Sequence, residues 1–134
     1  METSSELGSP TGARPMKWLV CGGRAYQDNK FLTEVLSYYS VKVYGIPDLV
    51  IAGGAPGADS LAAEWAEDHG IHVAEVLALW DKYGKRAGWV RNKVMLDLGP
   101  DVVIAFPGGK GTEMMVSLAR QAGVPVRQPV LEGT

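Results

Sequence analysis

Residues 106–112, FPGGKGT, join an apolar run to a segment with helical spacing. The run, residues 102–106, has no polar side chain, and Met115, Leu118 and Ala122 recur afterwards at intervals of three and four. This pattern predicts a buried strand, a glycine-rich turn and a helix. Three glycines within four positions let a ligand approach the backbone, because glycine has no Cβ. The free N–H groups and the positive dipole end of the helix suit an anion such as phosphate.

The composition is that of one soluble domain. With 134 residues and a net charge of −2, the chain has no general attraction to nucleic acid or membrane. It contains no apolar run long enough to span a bilayer, and because residues 1–15 are polar we expect no signal peptide. Its single cysteine, Cys21, excludes an internal disulfide framework and agrees with a reducing cytoplasm. We expect a cytoplasmic protein with one domain over residues 15–128, a disordered tail over residues 1–14 and a loose end over residues 129–134.

Predicted strands and helices alternate along the chain. The strands are continuous apolar runs rather than alternating patterns, which is typical of a parallel sheet covered on both faces. Strands are predicted over residues 16–21, 48–52, 71–77, 101–106 and 124–127. Helices are predicted over residues 30–44, over a segment that contains Leu61 and Trp65 and ends at Gly70, and over residues 86–98 and 110–122.

Three of these strands end in glycine pairs, at residues 22–23, 53–54 and 108–109. The carboxyl ends of parallel strands share one edge of the sheet, where ligands bind at the point at which the strand order reverses. Arg24 follows the first pair and reaches the same edge. Asp59, in the second turn, is either a cap of the next helix or an acceptor for a ribose hydroxyl.

Residues 79–93 form a local basic and aromatic cluster. Aromatic rings beside arginine and lysine suit stacking on a base and pairing with its phosphate, and the alternatives are a solvated basic face or a lid packed on the core. In the helix that follows, Val90, Val94 and Leu98 are expected to face inward. Nucleic-acid binding is a weaker prediction, because the cluster is short and the net charge is negative. The cluster contains Trp80, Lys82, Tyr83, Lys85, Arg86, Trp89, Arg91 and Lys93.

Four blocks of the sequence form a set: residues 20–28 (VCGGRAYQD), 52–59 (AGGAPGAD), 80–95 (WDKYGKRAGWVRNKVM) and 106–112 (FPGGKGT). In this order they resemble the YspA-like branch of the SMF/DprA–LOG superfamily, and the resemblance covers nearly all of residues 16–127. It implies a Rossmann-like α/β fold, a three-layer sandwich of about five mostly parallel strands with helices on both faces. It also implies a nucleotide or nucleotide-derived ligand at the glycine turns.

The LOG enzymes of this superfamily cleave the N-glycosidic bond of nucleoside monophosphates. Their arginine and methionine correspond to Arg91 and Met95, but Met114 and Met115 stand where their motif has two glutamates. Methionine cannot stabilise the positive charge that develops on the ribose. Glu113 is one residue early, a rotation of about 100° around the helix. The candidates for catalysis are therefore Glu113, Asp59 and Arg91.

The first hypothesis is a protein that senses or sequesters a nucleotide-derived small molecule, such as an ADP-ribose-like or cyclic nucleotide signal, in a bacterial or phage defence setting. The alternatives are a LOG-like phosphoribohydrolase and a single-stranded nucleic-acid-binding module. By resemblance we expect a homodimer or larger homo-oligomer, and we expect no cofactor, metal, membrane or nucleic-acid partner. The residues expected to bind the ligand are Gly22, Gly23, Arg24, Gly53, Gly54, Ala55, Gly57, Asp59, Trp80, Tyr83, Lys85, Arg91, Asn92, Pro107, Gly108, Gly109, Gly111 and Thr112.

Overall fold

The structure is a computed structural model that describes residues 14–130. The tails expected over residues 1–14 and 129–134 lie largely outside this range. Within the range, no helix is long and apolar enough to cross a membrane.

Five parallel strands form one sheet in the order β3-β2-β1-β4-β5. In the centre of the sheet, Leu19 lies opposite Ile51 on one neighbouring strand and Val103 on the other. The chain runs outward from β1 to β3, then returns to the other side of β1, so that the order reverses between β1 and β4. The strands are β1 (Lys17–Cys21), β2 (Leu49–Ala52), β3 (His72–Glu75), β4 (Val102–Ala105) and β5 (Val126–Arg127).

Helices cover both faces of the sheet, which confirms the predicted Rossmann-like α/β sandwich. They are α1 (Asn29–Tyr38), α2 (Ala58–Asp68), α3 (Trp80–Tyr83), α4 (Ala87–Asp97) and α5 (Lys110–Gln121). A π-helical turn, Tyr39–Val43, extends α1, and a 3-10 turn, Gly84–Arg86, joins α3 to α4. Asp28 caps α1, since its carboxylate accepts the N–H of Phe31 at 3.0 Å.

The strand pleat divides the core into two clusters. Trp18 and Val20 point to one face, where they pack against α1 and α2, and the Trp18 ring stacks on Trp65 at 5.8 Å. Leu19 and Cys21 point to the other face, where α4 and α5 cover them. Both faces of the central strands are therefore buried, which explains why these strands read as continuous apolar runs.

The rotation of α4 about its axis differs from the prediction. Val94 and Leu98, expected to face inward, are exposed, and Val90 is only half-buried. Ala87 and Met95 are the buried apolar residues of this helix. The inward expectation was wrong because polar residues of α4 hydrogen-bond to the sheet edge and set its orientation.

Candidate ligand-binding site

A cavity of about 460 Å³ opens at the carboxyl edge of the sheet, where the strand order reverses between β1 and β4. Its volume lies within the range of about 300–1,000 Å³ that is typical of small-molecule sites. The turns after β1, β2 and β4 form part of its wall, and the segment from α3 to α4 completes it.

Most of the residues predicted to bind a ligand line this cavity: Gly22, Gly23, Arg24, Ala55, Asp59, Trp80, Lys85, Arg91, Asn92, Gly109, Gly111 and Thr112. The other predicted residues do not line it: Gly53, Gly54, Gly57, Tyr83, Pro107 and Gly108. The sequence-based list lacked seven lining residues: Cys21, Gly88, Trp89, Met95, Lys110, Met114 and Met115.

Several glycines of the turns pack the strand ends together instead of facing the cavity. A Cβ at Gly57 would lie 2.2 Å from the carbonyl oxygen of Gly23, and Gly57 has a φ of +84°. Gly23 accepts the N–H of Ala58 at 3.2 Å and donates its own N–H to the Pro107 carbonyl at 2.9 Å. A Cβ at Gly108 would lie 2.6 Å from the Gly23 nitrogen. These close backbone contacts account for the glycines at positions 23, 57 and 108.

The start of α5 is different, because its glycines face open space. Apart from the adjacent residues and the backbone of the same helix, a Cβ at Gly109 or Gly111 would meet no protein atom within 4 Å. Gly109 is the N-cap and supplies no side-chain oxygen, so the first N–H groups of the helix have no side-chain cap. The predicted phosphate turn is therefore open on its cavity side.

Gly53 makes room for two charged groups. A Cβ there would lie 2.6 Å from Nη1 of Arg91 and 2.9 Å from Oδ2 of Asp59. Arg91 Nη1 donates to the Gly53 carbonyl at 2.8 Å, and its Nε donates to Oδ1 of Asn92 at 3.0 Å. Asn92 Nδ2 in turn donates to the Gly111 carbonyl at 3.4 Å. This network joins the turn after β2 to the first turn of α5 through α4, and it turns the polar face of α4 inward.

Asp59 is a carboxylate in the cavity wall with only 6% of its surface exposed. Burial raises the pKa of Asp59, while the Ala55 N–H and the charges of Arg91 and Arg24 offset part of that rise. The Ala55 N–H lies 3.2 Å from its Oδ2. The expectation that Asp59 caps α2 was wrong, because the cap residue is Gly57 and Asp59 lies in the first turn. The carboxylate is thus placed to accept a hydrogen bond from a ligand.

Two tryptophans form an aromatic wall. Trp80 is 53% exposed, and its Cη2 would lie 3.7 Å from a Cβ at Gly88. The Trp89 ring already has the cations of Arg86 and Lys93 at 5.5 and 5.9 Å from its centroid. Of the two aromatic residues predicted to stack on a base, Trp80 lies at the cavity and Tyr83 does not.

The charge of the lining is predominantly positive. Arg24, Lys85, Arg91 and Lys110 carry four positive charges against the single carboxylate of Asp59. This local excess contrasts with the net charge of −2 of the whole chain. The cavity therefore favours an anionic ligand.

Four sulfur-containing residues contribute to the buried part of the lining, and two of them, Met114 and Met115, stand where the LOG motif has glutamates. Cys21, Met95 and Met115 are buried and Met114 is half-buried; we call these four residues the sulfur floor. Burial raises the pKa of the Cys21 thiol to about 12, so it is neutral at pH 7. Glu113 is exposed and lines a separate groove on the outer side of α5 instead.

Comparison with known proteins identifies the family. The model of the YspA, cpYpsA-related SLOG family (YAcAr) matches residues 16–83. Gene 61 protein of Mycobacterium phage D29 is 37% identical over 116 residues, 81% of this chain and 91% of that protein. The X-ray structure of DNA processing protein A (DprA) from Streptococcus pneumoniae has a TM-score of 0.69 and 19% identity over 88% of this chain and 52% of that chain, a likeness of fold. This chain spans about half of that DprA chain. The protein belongs to the YspA, cpYpsA-related SLOG family, as its four sequence blocks predicted.

Proposed function

We propose that this protein binds a nucleotide-derived small molecule in the cavity and thereby senses or sequesters it. One observation carries the proposal: an open helix N-terminus, four cationic side chains and an exposed tryptophan converge on one cavity at the switch point of the sheet. An anion and a flat ring on one molecule match this combination. Membership of the SLOG family supports a nucleotide-related ligand.

The phosphate of the ligand binds at the start of α5. The first N–H groups of a helix and its dipole favour an anion, and Gly109 and Gly111 leave room for one to approach. Lys110 and Lys85 line the same cavity and neutralise its charge. In this proposal the turn contributes backbone donors, and the lysines contribute long-range attraction.

The sugar and the base are held by the wall of the cavity. Asp59 accepts a hydrogen bond from a ribose hydroxyl. Its buried carboxylate receives a hydrogen bond from the backbone of Ala55 but none from a side chain among the described residues, so it can accept one from the ligand. Trp80 supplies an aromatic face, and stacking of a base on such a face is worth about 1–3 kcal/mol. An ADP-ribose-like or cyclic nucleotide carries all of these groups.

Binding without cleavage fits the placement of the carboxylates. Asp59 is the one acidic residue among those that line the cavity, and the Glu113 side chain lies outside it. Hydrolysis of the N-glycosidic bond by the related enzymes relies on a glutamate pair at positions occupied here by Met114 and Met115. A relative in Mycobacterium phage D29 is compatible with capture of a nucleotide signal during infection.

A thermal-shift panel tests the proposal. AMP, ADP-ribose and cyclic nucleotides are added to the wild type, to Lys110→Gln in the cavity and to Lys42→Gln, an exposed lysine on the π-helical turn. A ligand present at 100 times its Kd stabilises the native state by about 2.7 kcal/mol. We expect a raised Tm for the wild type and Lys42→Gln and a smaller rise for Lys110→Gln. No rise with any compound would contradict the proposal.

Chromatography of the same mixtures separates binding from hydrolysis. We expect the nucleotide to be recovered intact after heat denaturation of the protein. Release of free base that is lost in Asp59→Asn would replace the binding function with a hydrolase function.

Single-stranded nucleic acid is the competing ligand, and the exposed surface of α3 favours it. Trp80 is exposed, and so are Lys82 of the same helix and Lys85 and Lys93 of the segments that follow it. A gel-shift titration of a single-stranded oligonucleotide at several salt concentrations tests this alternative. Binding that weakens steeply with salt supports it, and absence of binding at low salt eliminates it.

The homo-oligomer implied by the resemblance stays a prediction. Sedimentation equilibrium measures it directly. A mass equal to the 14.3 kDa of one chain would contradict it.

A further inference from the structure

The cavity has two chemically different ends. At its mouth lie exposed cations, Arg24, Lys85 and Lys110, together with the open start of α5. At its deep end lies the sulfur floor, of which Cys21 and Met115 are almost completely buried. A ligand with one charged and one uncharged end therefore has a preferred direction of entry.

The deep end is a poor environment for a phosphate. Among the cations that line the cavity, only Arg91 is half-buried. Two of its nitrogens already donate hydrogen bonds, to the Gly53 carbonyl and to Asn92. The carboxylate of Asp59 lies in the same wall and repels an anion. A phosphate placed there would lose its hydration without gaining enough donors.

The same deep end suits a flat, uncharged ring. Thioether sulfur makes favourable contacts with aromatic rings, and methionine adapts its shape to the group that it covers. Two buried polar side chains, Asp59 and Asn92, lie in the adjacent wall, with 6% and 3% of their surface exposed. A carboxylate and an amide are groups that hydrogen-bond to the edge of a base or to a sugar hydroxyl.

We infer that the nucleotide enters base first, so that the base lies on the sulfur floor and the phosphate stays at the mouth beside the start of α5. This inference rests on the proposed function and adds the orientation of the ligand. It assigns Met114, the half-buried methionine of the floor, a direct contact with one face of the base, while Trp80 in the cavity wall contacts the other face.

Methyl NMR of methionine tests the orientation. The full chain is labelled with ¹³C at the methionine methyl groups, and AMP, ADP-ribose and ribose 5-phosphate are titrated in turn. An aromatic ring shifts the signal of a methyl group that lies against its face. We expect AMP and ADP-ribose to shift the Met114 signal upfield, and ribose 5-phosphate to leave it without this shift. Met16 serves as an internal control, because it packs on the opposite core cluster.

A pair of variants provides an independent test. Met114→Ala removes a thioether from the floor, whereas Ser117→Ala changes an exposed residue on the outer side of the same helix. Because the contact between the sulfur and the ring is lost, we expect Met114→Ala to weaken AMP binding about threefold to tenfold. We expect Ser117→Ala to bind AMP as the wild type does.

The possible outcomes separate the two proposals. Binding of AMP with an unmoved Met114 methyl signal, or equal affinity in Met114→Ala and wild type, would overturn the orientation and leave the binding function standing. Failure of AMP, ADP-ribose and the cyclic nucleotides to bind would overturn both.

Discussion

The turn after β2 and the turn after β4 have nearly the same composition and opposite uses. Gly57, in the first, lies so close to the Gly23 carbonyl that a Cβ would be 2.2 Å from it. Gly109 and Gly111, in the second, have no protein atom within 4 Å of a Cβ position. The first turn needs glycine for packing, and the second leaves its backbone open to a ligand.

This difference shows what a glycine-rich strand end indicates. Glycine is required wherever another group comes very close to the backbone of the turn. That group can be a ligand, or it can be the backbone of another segment of the same protein. The start of α2 meets its own chain, because the Ala58 N–H donates to Gly23. The start of α5 has no side-chain cap and faces the cavity. The open turn is therefore the stronger candidate for binding an anion.

The largest expected effect is on the packed turn. Gly57→Ala introduces a clash with the Gly23 carbonyl and a strained positive φ, so we expect the free energy of unfolding to fall by about 3 kcal/mol or more. Urea denaturation measures it. The control is Gly70→Ala, where φ is +71° and no atom lies within 4 Å, with an expected loss of about 1 kcal/mol. Equal losses would show that strain, and not packing, explains Gly57.

In the open turn after β4, replacing glycine with alanine should reduce ligand affinity and leave stability unchanged. Gly109→Ala and Gly111→Ala fill space in front of the first N–H groups of α5, and we expect AMP affinity to fall about tenfold, or about 1.4 kcal/mol. Stability should be unchanged, or higher for Gly111→Ala, since alanine favours a helix by up to about 1 kcal/mol. Calorimetric titration and thermal unfolding measure the two quantities. A stability loss comparable with that of Gly57→Ala would remove the distinction between the turns.

Arg91 connects the two turns, so its loss should affect both to a smaller degree. Arg91→Met removes the donors to the Gly53 carbonyl and to Asn92, and we expect a loss of about 1–2 kcal/mol in the free energy of unfolding together with weaker AMP binding. Lys93→Met, an exposed residue of the same helix, should stay within about 0.5 kcal/mol of the wild type. Unchanged AMP binding in Arg91→Met would show that the hydrogen bonds of Arg91 do not contribute to the ligand site.

The smallest expected effect is the dependence of stability on pH. Burial raises the pKa of Asp59 above its ordinary value of 3.8, so the folded state holds this proton more tightly than the unfolded state does. The stability that this group contributes is present below pH 3.8 and is lost as pH rises through the raised pKa. The wild type should therefore become less stable relative to Asp59→Asn over that window, as urea denaturation at several pH values would show. A difference that is constant with pH would contradict the raised pKa.

The sequence predicts the fold well because its strongest signals are local. The apolar runs of residues 16–21 and 102–106 predict strands that the structure places side by side in the centre of the sheet. The glycine pairs mark the edge at which the cavity opens. Both inferences need only strand periodicity and the geometry of parallel sheets.

The site is predicted less completely, because it depends on how α4 is rotated. Spacing by four favoured Val90, Val94 and Leu98 as the inner face. No local signal showed that Arg91 and Asn92 hydrogen-bond to the carbonyls of Gly53, after β2, and Gly111, in α5. Trp89 was therefore missing from the residues expected to line the cavity. The sequence also did not distinguish the glycines that pack against protein atoms from those that face open space. The motif did mark Met114 and Met115 by their departure from glutamate, but only the structure places them at the cavity.

Backbone amide NMR during a titration with AMP tests the central claim most directly, because it reports on both turns in one experiment. We predict saturable shifts that are largest at Lys110, Gly111 and Thr112 and small at Gly57, whose surroundings are filled by protein atoms. Largest shifts at Gly57, or no saturable shift among the residues that line the cavity, would contradict the claim that the open turn after β4 binds the phosphate.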